Sequence, residues 1–318
     1  MKICLLDAQT LGKDIDLSEL MKLGDVEIYD LTDNNQAASR IKDADVVITN
    51  KVVLTEENLR DAKNLKLIAL TATGYNNVDI DYAKKMGIGV ANVAGYSTQS
   101  VAQHTFALLF YLLEKIRLYD DYVKNKQYEQ CKTFSYLAWS FNEIHDKTWG
   151  IIGMGSIGKQ VAEIAKAFGA KVIYYSASGE NNHEGYQRVS LDELFKLSDI
   201  LSIHAPLTDK TKNLITYNEL KQMKNTAILL NLARGGIVNE KDLARALNEN
   251  LIYAAGLDVL ENEPIKSDNP LYAVKDQSRL LITPHIAWAS KEARKTLINE
   301  VIENIKAFCH NEIRNRVV

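Results

Sequence analysis

The sequence predicts an α/β protein of two domains, each built on a mainly parallel sheet. Three observations predict it. Short β-rich runs alternate with amphipathic segments nearly throughout, which is the pattern of βαβ units. The strand candidates fall into two series. At 318 residues the chain exceeds what one hydrophobic core usually serves.

The first series reads "KICLLD" (2–7), "VEIYD" (26–30), "DVVITN" (45–50), "KLIALT" (66–71) and "IGVANV" (88–93). Amphipathic segments lie between them. Residues 101–113, "VAQHTFALLFYLL", are apolar around almost the whole helix, so this segment is expected to be buried in a core or a subunit interface. The second series reads "WGIIG" (149–153), "KVIYYS" (171–176), "DILSIH" (199–204), "AILLNLA" (227–233), "YAAGLDV" (253–259) and "RLLIT" (279–283). A long amphipathic helix over 290–310 closes the chain.

Composition narrows the function. Apolar residues make up 46% and charged residues 25%, an ordinary globular balance. The net charge of −3 and the lack of a strongly basic block give a nucleic-acid role no support. The longest apolar run, "FALLFYLL", falls far short of the roughly 20 residues a membrane helix needs. "MKICLLDAQ" meets Asp7 too early for a signal peptide. Cys4, Cys131 and Cys309 are far apart and odd in number, which suggests neither disulfides nor a metal site and fits a reducing cytoplasm.

"TWGIIGMGSIG" holds Gly153, Gly155 and Gly158 in G-x-G-x-x-G spacing, between a strand candidate and an amphipathic helix, with another strand next. That context is what a dinucleotide fingerprint requires. The first glycine permits a tight turn, the second lets backbone approach a pyrophosphate, and the third allows close helix–strand packing. Ser156 and Ile157 would open a helix whose free N–H groups attract phosphate. Ser176 stands where a carboxylate usually holds the adenosine ribose. The loop "SASGENNHEG" (176–185) carries no Arg or Lys for a 2′-phosphate either, so NAD use with weak discrimination against NADP is expected.

Ligands of open α/β sheets bind beyond the carboxyl ends of the strands. Arg234, Asp258, Glu263, His204 and His285 all fall there, and Pro206, Pro264 and Pro284 adjoin them. Reduction of a ketone needs a proton donor, a cationic clamp and a cofactor. Histidine suits the first, a neighbouring carboxylate favours its charged form, and the arginine fork suits a substrate carboxylate. Position alone leaves His204 and His285 equally eligible as the acid.

These motifs resemble those of the D-isomer-specific 2-hydroxyacid dehydrogenases, the hydroxypyruvate and glycerate dehydrogenase relatives in particular. The resemblance spans nearly the whole chain, through "TATGYNNVDI" (71–80), "NVAGYSTQSVAQHTFALL" (92–109), "KTWGIIGMGSIG" (147–158), "DILSIHAPLTDKTKNLI" (199–215), "NLARGGIVNEKDLARAL" (231–247), "AGLDVLENEP" (255–264) and "TPHIAWAS" (283–290). It implies His285 as the catalytic acid–base, Glu263 as its partner and Arg234 as the substrate clamp. His204, Pro206 and Ala233 would line the cofactor, Asp258 would face it, and Thr73, Gly74 and Tyr75 would bind the substrate, partly through backbone N–H groups. The implied fold is two Rossmann-like, doubly wound parallel-sheet domains with a cleft between them: a substrate domain of 1–99 and 287–318, and a dinucleotide domain of 100–286 that also makes a homodimer. Trp139 is a candidate to reach the partner's site, within a stretch that matches relatives poorly.

The resemblance implies an NAD(P)-dependent oxidoreductase that reduces a small 2-keto acid, hydroxypyruvate or glyoxylate, to the D-2-hydroxy acid. Two rivals stand beside it. One is a non-catalytic NADH-sensing interaction protein on the same scaffold, which a complete Arg, Glu and His set argues against. The other is a phosphoglycerate dehydrogenase: the chain lacks the length for that family's usual regulatory extension, though short members exist.

Overall fold

The computed structural model describes residues 1–179 and 182–318. Glu180 and Asn181, in the loop read above for a basic residue, lie outside the described residues. The chain forms two compact units, Met1–Ser97 with Ala289–Val318, and Thr98–Trp288.

In the first unit, β1 (Lys2–Leu5), β2 (Asp25–Ile28), β3 (Val46–Thr49), β4 (Leu67–Leu70) and β5 (Gly89–Ala91) form one sheet in the order β2-β1-β3-β4-β5. All its neighbours are parallel. Every residue of β3 and β4 is buried, which is why they read as unbroken apolar runs. The charged residues Asp25 and Glu27 mark β2 as an edge, and it is largely exposed. The helix Lys291–Cys309 belongs to this unit and buries Leu297, Ile298, Val301, Ile302 and Ile305, a stripe at helical spacing.

In the second unit, β6 (Thr148–Ile152), β7 (Lys171–Tyr175), β8 (Gln187–Arg188), β9 (Ile200–Ile203), β10 (Ile228–Asn231), β11 (Ala254–Leu257) and β12 (Leu280–Ile282) form a second parallel sheet. Its order is β12-β11-β10-β9-β6-β7-β8. The chain runs outward from β6 to β8, then returns to β9 on the other side of β6 and runs outward to β12. The strand order therefore reverses at β6 and β9, which is where such sheets open a crevice at their carboxyl edge.

The helix Thr98–Leu113 lies in the core of the second unit, with Val101, Ala102, Phe106, Leu108, Leu109 and Leu112 buried. It packs on the helix Ser156–Ala167 and on β10 and β11, so neighbours on several sides explain its all-round apolarity. Among the described residues no helix is long and apolar enough to cross a membrane.

Candidate active site

Because every strand of the second sheet runs the same way, the strand exits share one edge. Along that edge stand His285 beyond β12, Asp258 beyond β11, Arg234 beyond β10, His204 beyond β9, Gly153–Gly158 beyond β6 and Ser176 beyond β7. Neighbouring strands sit about 4.8 Å apart. The sheet order thus places the acid–base and clamp candidates on one flank and the glycine loop on the other, with His204 between.

The three glycines have separable structural reasons. Gly153 takes φ +92° and lies so close to the β9 exit that a Cβ would fall 2.7 Å from the Ala205 nitrogen. A Cβ on Gly158 would meet the Gly153 carbonyl oxygen at 2.2 Å, which is the close helix–strand approach. Gly155 faces open space, with nothing within 4 Å of a Cβ. It caps the helix Ser156–Ala167 without any side-chain bond, so the first N–H groups of Ser156, Ile157 and Gly158 are left for a ligand.

Ser176 is 4% exposed, its Oγ 3.4 Å from Ser178 Oγ. The Gly153 N–H donates to the Tyr175 carbonyl at 3.1 Å, which ties this strand exit to the glycine loop. At His204 both ring nitrogens are buried and find no partner among the described residues. Burial pushes its pKa down to about 3, so the ring is neutral in ordinary buffers. It therefore offers one donor and one acceptor to a bound group. Pro206, two residues on, is exposed, and its carbonyl accepts from Thr211 Oγ1 at 2.7 Å.

His285 Nδ1 lies 2.7 Å from Glu263 Oε2, a spacing that brings together two strand exits 22 residues apart in sequence. An ionised carboxylate only accepts, so Nδ1 carries the hydrogen and Nε2 is the atom left to exchange a proton. His285 adopts φ +54°, a left-handed conformation that costs of order 1 kcal/mol and needs support. The support is Asp258. Its carbonyl accepts the His285 N–H at 2.8 Å, and its carboxylate accepts from Thr283 Oγ1 at 2.6 Å and from the Ile286 and Ala287 N–H groups at 2.9 Å each. These donors hold the Asp258 side chain, which is only 1% exposed.

Glu263 sits on a loop fixed from behind. Its Oε1 accepts the Leu260 N–H at 2.9 Å. Buried Glu240 accepts the Glu261 N–H at 2.6 Å and Asn269 Nδ2 at 2.7 Å. The turn carrying Arg234 rests against the same loop. A Cβ on Gly235 would lie 1.8 Å from the Leu260 carbonyl oxygen, so only glycine allows the two backbones to touch. Asn231 braces this turn, accepting the Ala233 N–H at 3.1 Å and donating to the Arg234 carbonyl at 2.9 Å. The Arg234 guanidinium is exposed. Nη1 donates to the Ala233 carbonyl at 2.7 Å, and no carboxylate pairs with it among the described residues. Gly235→Ala should therefore lower activity at least about tenfold and stability by about 1–3 kcal/mol, since backbone must move on both sides of the contact. Kinetics and thermal melts check this, and a variant with wild-type values for both would disprove the contact.

In the first unit, Thr73, Gly74 and Tyr75 follow β4. The Thr73 hydroxyl donates to the Val93 carbonyl at 2.8 Å, so this side chain serves its own loop. The N–H groups of Gly74 and Tyr75 meet no acceptor among the described residues, and the Tyr75 side chain is exposed. Two adjacent N–H donors of this kind suit a carboxylate.

The sequence profile of the D-isomer specific 2-hydroxyacid dehydrogenase, NAD binding domain, matches residues 106–287. This chain belongs to the D-isomer-specific 2-hydroxyacid dehydrogenase family. The chain is 39% identical over 314 residues to a hydroxypyruvate reductase of Blautia hydrogenotrophica, covering 97% of each sequence. Among solved structures it resembles an acyclic imino acid reductase in complex with NADPH and D-Arg, at TM-score 0.88, 34% identity and full coverage of both chains. It also resembles the D-lactate dehydrogenase of Aquifex aeolicus complexed with NAD and lactic acid, at TM-score 0.85 and 30% identity over 98% of this chain and 96% of that one.

As a 2-hydroxyacid dehydrogenase the chain needs room for a nicotinamide dinucleotide, and its residues fit one. The open face of Gly155, the helix start without a side-chain cap and the partnerless buried nitrogens of His204 all lie on one sheet edge. Several residues that shape this dehydrogenase site escaped the sequence reading. Thr283 stands two positions before His285, close enough to have been singled out. Glu240 carries no local signal, since nothing in a helix sequence shows that a charged group is buried against a distant loop. Trp139 packs within its own segment, edge-on to Tyr119 and Tyr136 at 5.1 and 5.4 Å, and its carbonyl accepts from Tyr119 Oη.

Proposed function

We propose that the chain is an NAD(P)-dependent D-2-hydroxyacid dehydrogenase that reduces a small 2-keto acid, hydroxypyruvate or glyoxylate, to the D-2-hydroxy acid. The observation that carries this reading is the Glu263–His285 pair at 2.7 Å, on the same sheet edge as an arginine with no carboxylate partner among the described residues. His285 Nε2 gives the proton to the carbonyl oxygen during reduction and takes it back during oxidation. Glu263 fixes the ring so that Nε2 is the atom presented. Arg234 clamps the substrate carboxylate and polarises the carbonyl. Gly74 and Tyr75 add backbone N–H donors, with Thr73 holding their loop.

Gly153, Gly155, Ser156, Ile157, Gly158, Ser176, His204, Pro206 and Ala233 would hold the cofactor. When bound, NADH or NADPH supplies the hydride that arrives at the substrate α-carbon. One solved relative holds NADPH and another NAD, in line with a serine, Ser176, at the strand exit where a carboxylate usually stands. Ser176→Asp should raise the preference for NADH over NADPH at least about tenfold, because the new carboxylate binds the 2′-hydroxyl and repels a 2′-phosphate. An unchanged ratio of catalytic efficiencies would put the discriminating group elsewhere.

We also assign a homodimer through the nucleotide-binding unit. Phe134 and Leu137 are 94% and 80% exposed on the segment before β6, and Phe141 is exposed beside them, an apolar surface suited to a second copy. A cytoplasmic location fits three cysteines of which none is paired. Neither an NADH-sensing interaction protein nor a phosphoglycerate dehydrogenase is favoured by the relatives. The test of the reading is a panel of 2-keto acids with each cofactor, followed by nicotinamide absorbance. Hydroxypyruvate or glyoxylate should be consumed, and silence across the panel would defeat the assignment.

A further inference from the structure

We propose that His104, acting through Thr283 and Asp258, is a positioning residue for His285, and that Ser100 shares the task. The inference rests on the reading of His285 as the acid–base group. The segment 283–287 is built around the buried carboxylate of Asp258. Thr283 gives its one hydroxyl proton to Asp258 Oδ1 at 2.6 Å. At its other contact, His104 Nε2 at 3.1 Å, that hydroxyl can therefore only accept. His104 Nε2 must carry a hydrogen and donate it. The same nitrogen stands 3.6 Å from Asp258 Oδ1, so the N–H dipole also faces the carboxylate.

Ser100 lies one turn earlier on the same helix face, and its hydroxyl donates to the Ala287 carbonyl at 2.6 Å. One helix thus grips the segment at both ends, His104 at residue 283 and Ser100 at residue 287. Between them His285 is held in its left-handed conformation. The contacts of the two helix residues reach Thr283, Asp258 and the Ala287 carbonyl, so the effect passes through these groups and the backbone. A shift of about 1 Å in a reacting group can cost about a hundredfold in rate.

Two variants separate positioning from packing. His104→Leu fills the space and removes the donor, whereas His104→Gln keeps an N–H donor at similar reach. The expected result is a fall in kcat of at least about tenfold for Leu, with KM for the keto acid and NADH affinity little changed, and recovery of most of the loss by Gln. A second readout needs no turnover. Histidine ring nitrogen spectra of the protein without ligand should show the Nδ1–H form of His285 in the wild type, and a displaced His285 signal in the Leu variant only. Wild-type kcat and an unmoved His285 signal in the Leu variant would overturn the proposal, as would equal impairment of Leu and Gln. If the wild type reduces no 2-keto acid, the functional reading fails, while the spectra still decide whether His104 positions His285.

Discussion

His285→Asn is expected to cut turnover by about 10²–10⁴-fold while leaving NADH affinity within about twofold. Asparagine suits the test for structural reasons. It tolerates the left-handed conformation found at φ +54° better than most residues, so the 283–287 segment should keep its shape. Its amide N–H can also replace Nδ1–H as a donor to Glu263, which avoids stranding that carboxylate. What it lacks is a group able to give and take the proton that His285 Nε2 handles. The loss should therefore fall on kcat. Steady-state kinetics and a fluorescence titration with NADH measure both quantities. An unchanged kcat would remove His285 from the chemistry.

Arg234→Gln is expected to lower kcat/KM by roughly 10²- to 10³-fold. A hydrogen bond between charged groups contributes about 1.5–3 kcal/mol, and a planar guanidinium makes two to one carboxylate. The carboxylate is present in both the substrate and the transition state, so a large part of the effect should appear as a raised KM. Arg234→Lys should recover little, because a point charge cannot reproduce the two-pronged geometry. Thermal stability should not change, since the guanidinium is exposed and donates only to the neighbouring Ala233 carbonyl. A KM that stays at the wild-type value in the Gln variant would mean the carboxylate is held elsewhere.

Sequence reasoning located the long strands of both sheets because residues covered on both faces must be apolar, as in "DVVITN" and "AILLNLA". It missed Gln187–Arg188, a two-residue exposed edge strand with no side-chain pattern to detect. The glycine spacing foretold a tight turn and a close helix–strand approach, and the geometry at Gly153 and Gly158 has both. Spacing alone did not choose between His204 and His285. The structure separates them physically: one ring is buried without a partner, and the other is paired with Glu263. The partners of the Asp258 carboxylate were illegible for another reason. Residue type and position at a strand end say nothing about rotamer, and here the rotamer is set by donors 25 to 29 residues further along the chain. The roles of Glu240 and His104 were hidden likewise, since each depends on contacts made across the folded unit.

The most direct test of the account follows the hydrogen itself. The protein is incubated with hydroxypyruvate and a reduced nicotinamide cofactor carrying deuterium at both C4 positions, and the product is analysed for configuration and label. The account predicts D-glycerate carrying deuterium on the α-carbon. Unlabelled product, product of L configuration, or no product from any small 2-keto acid would contradict it.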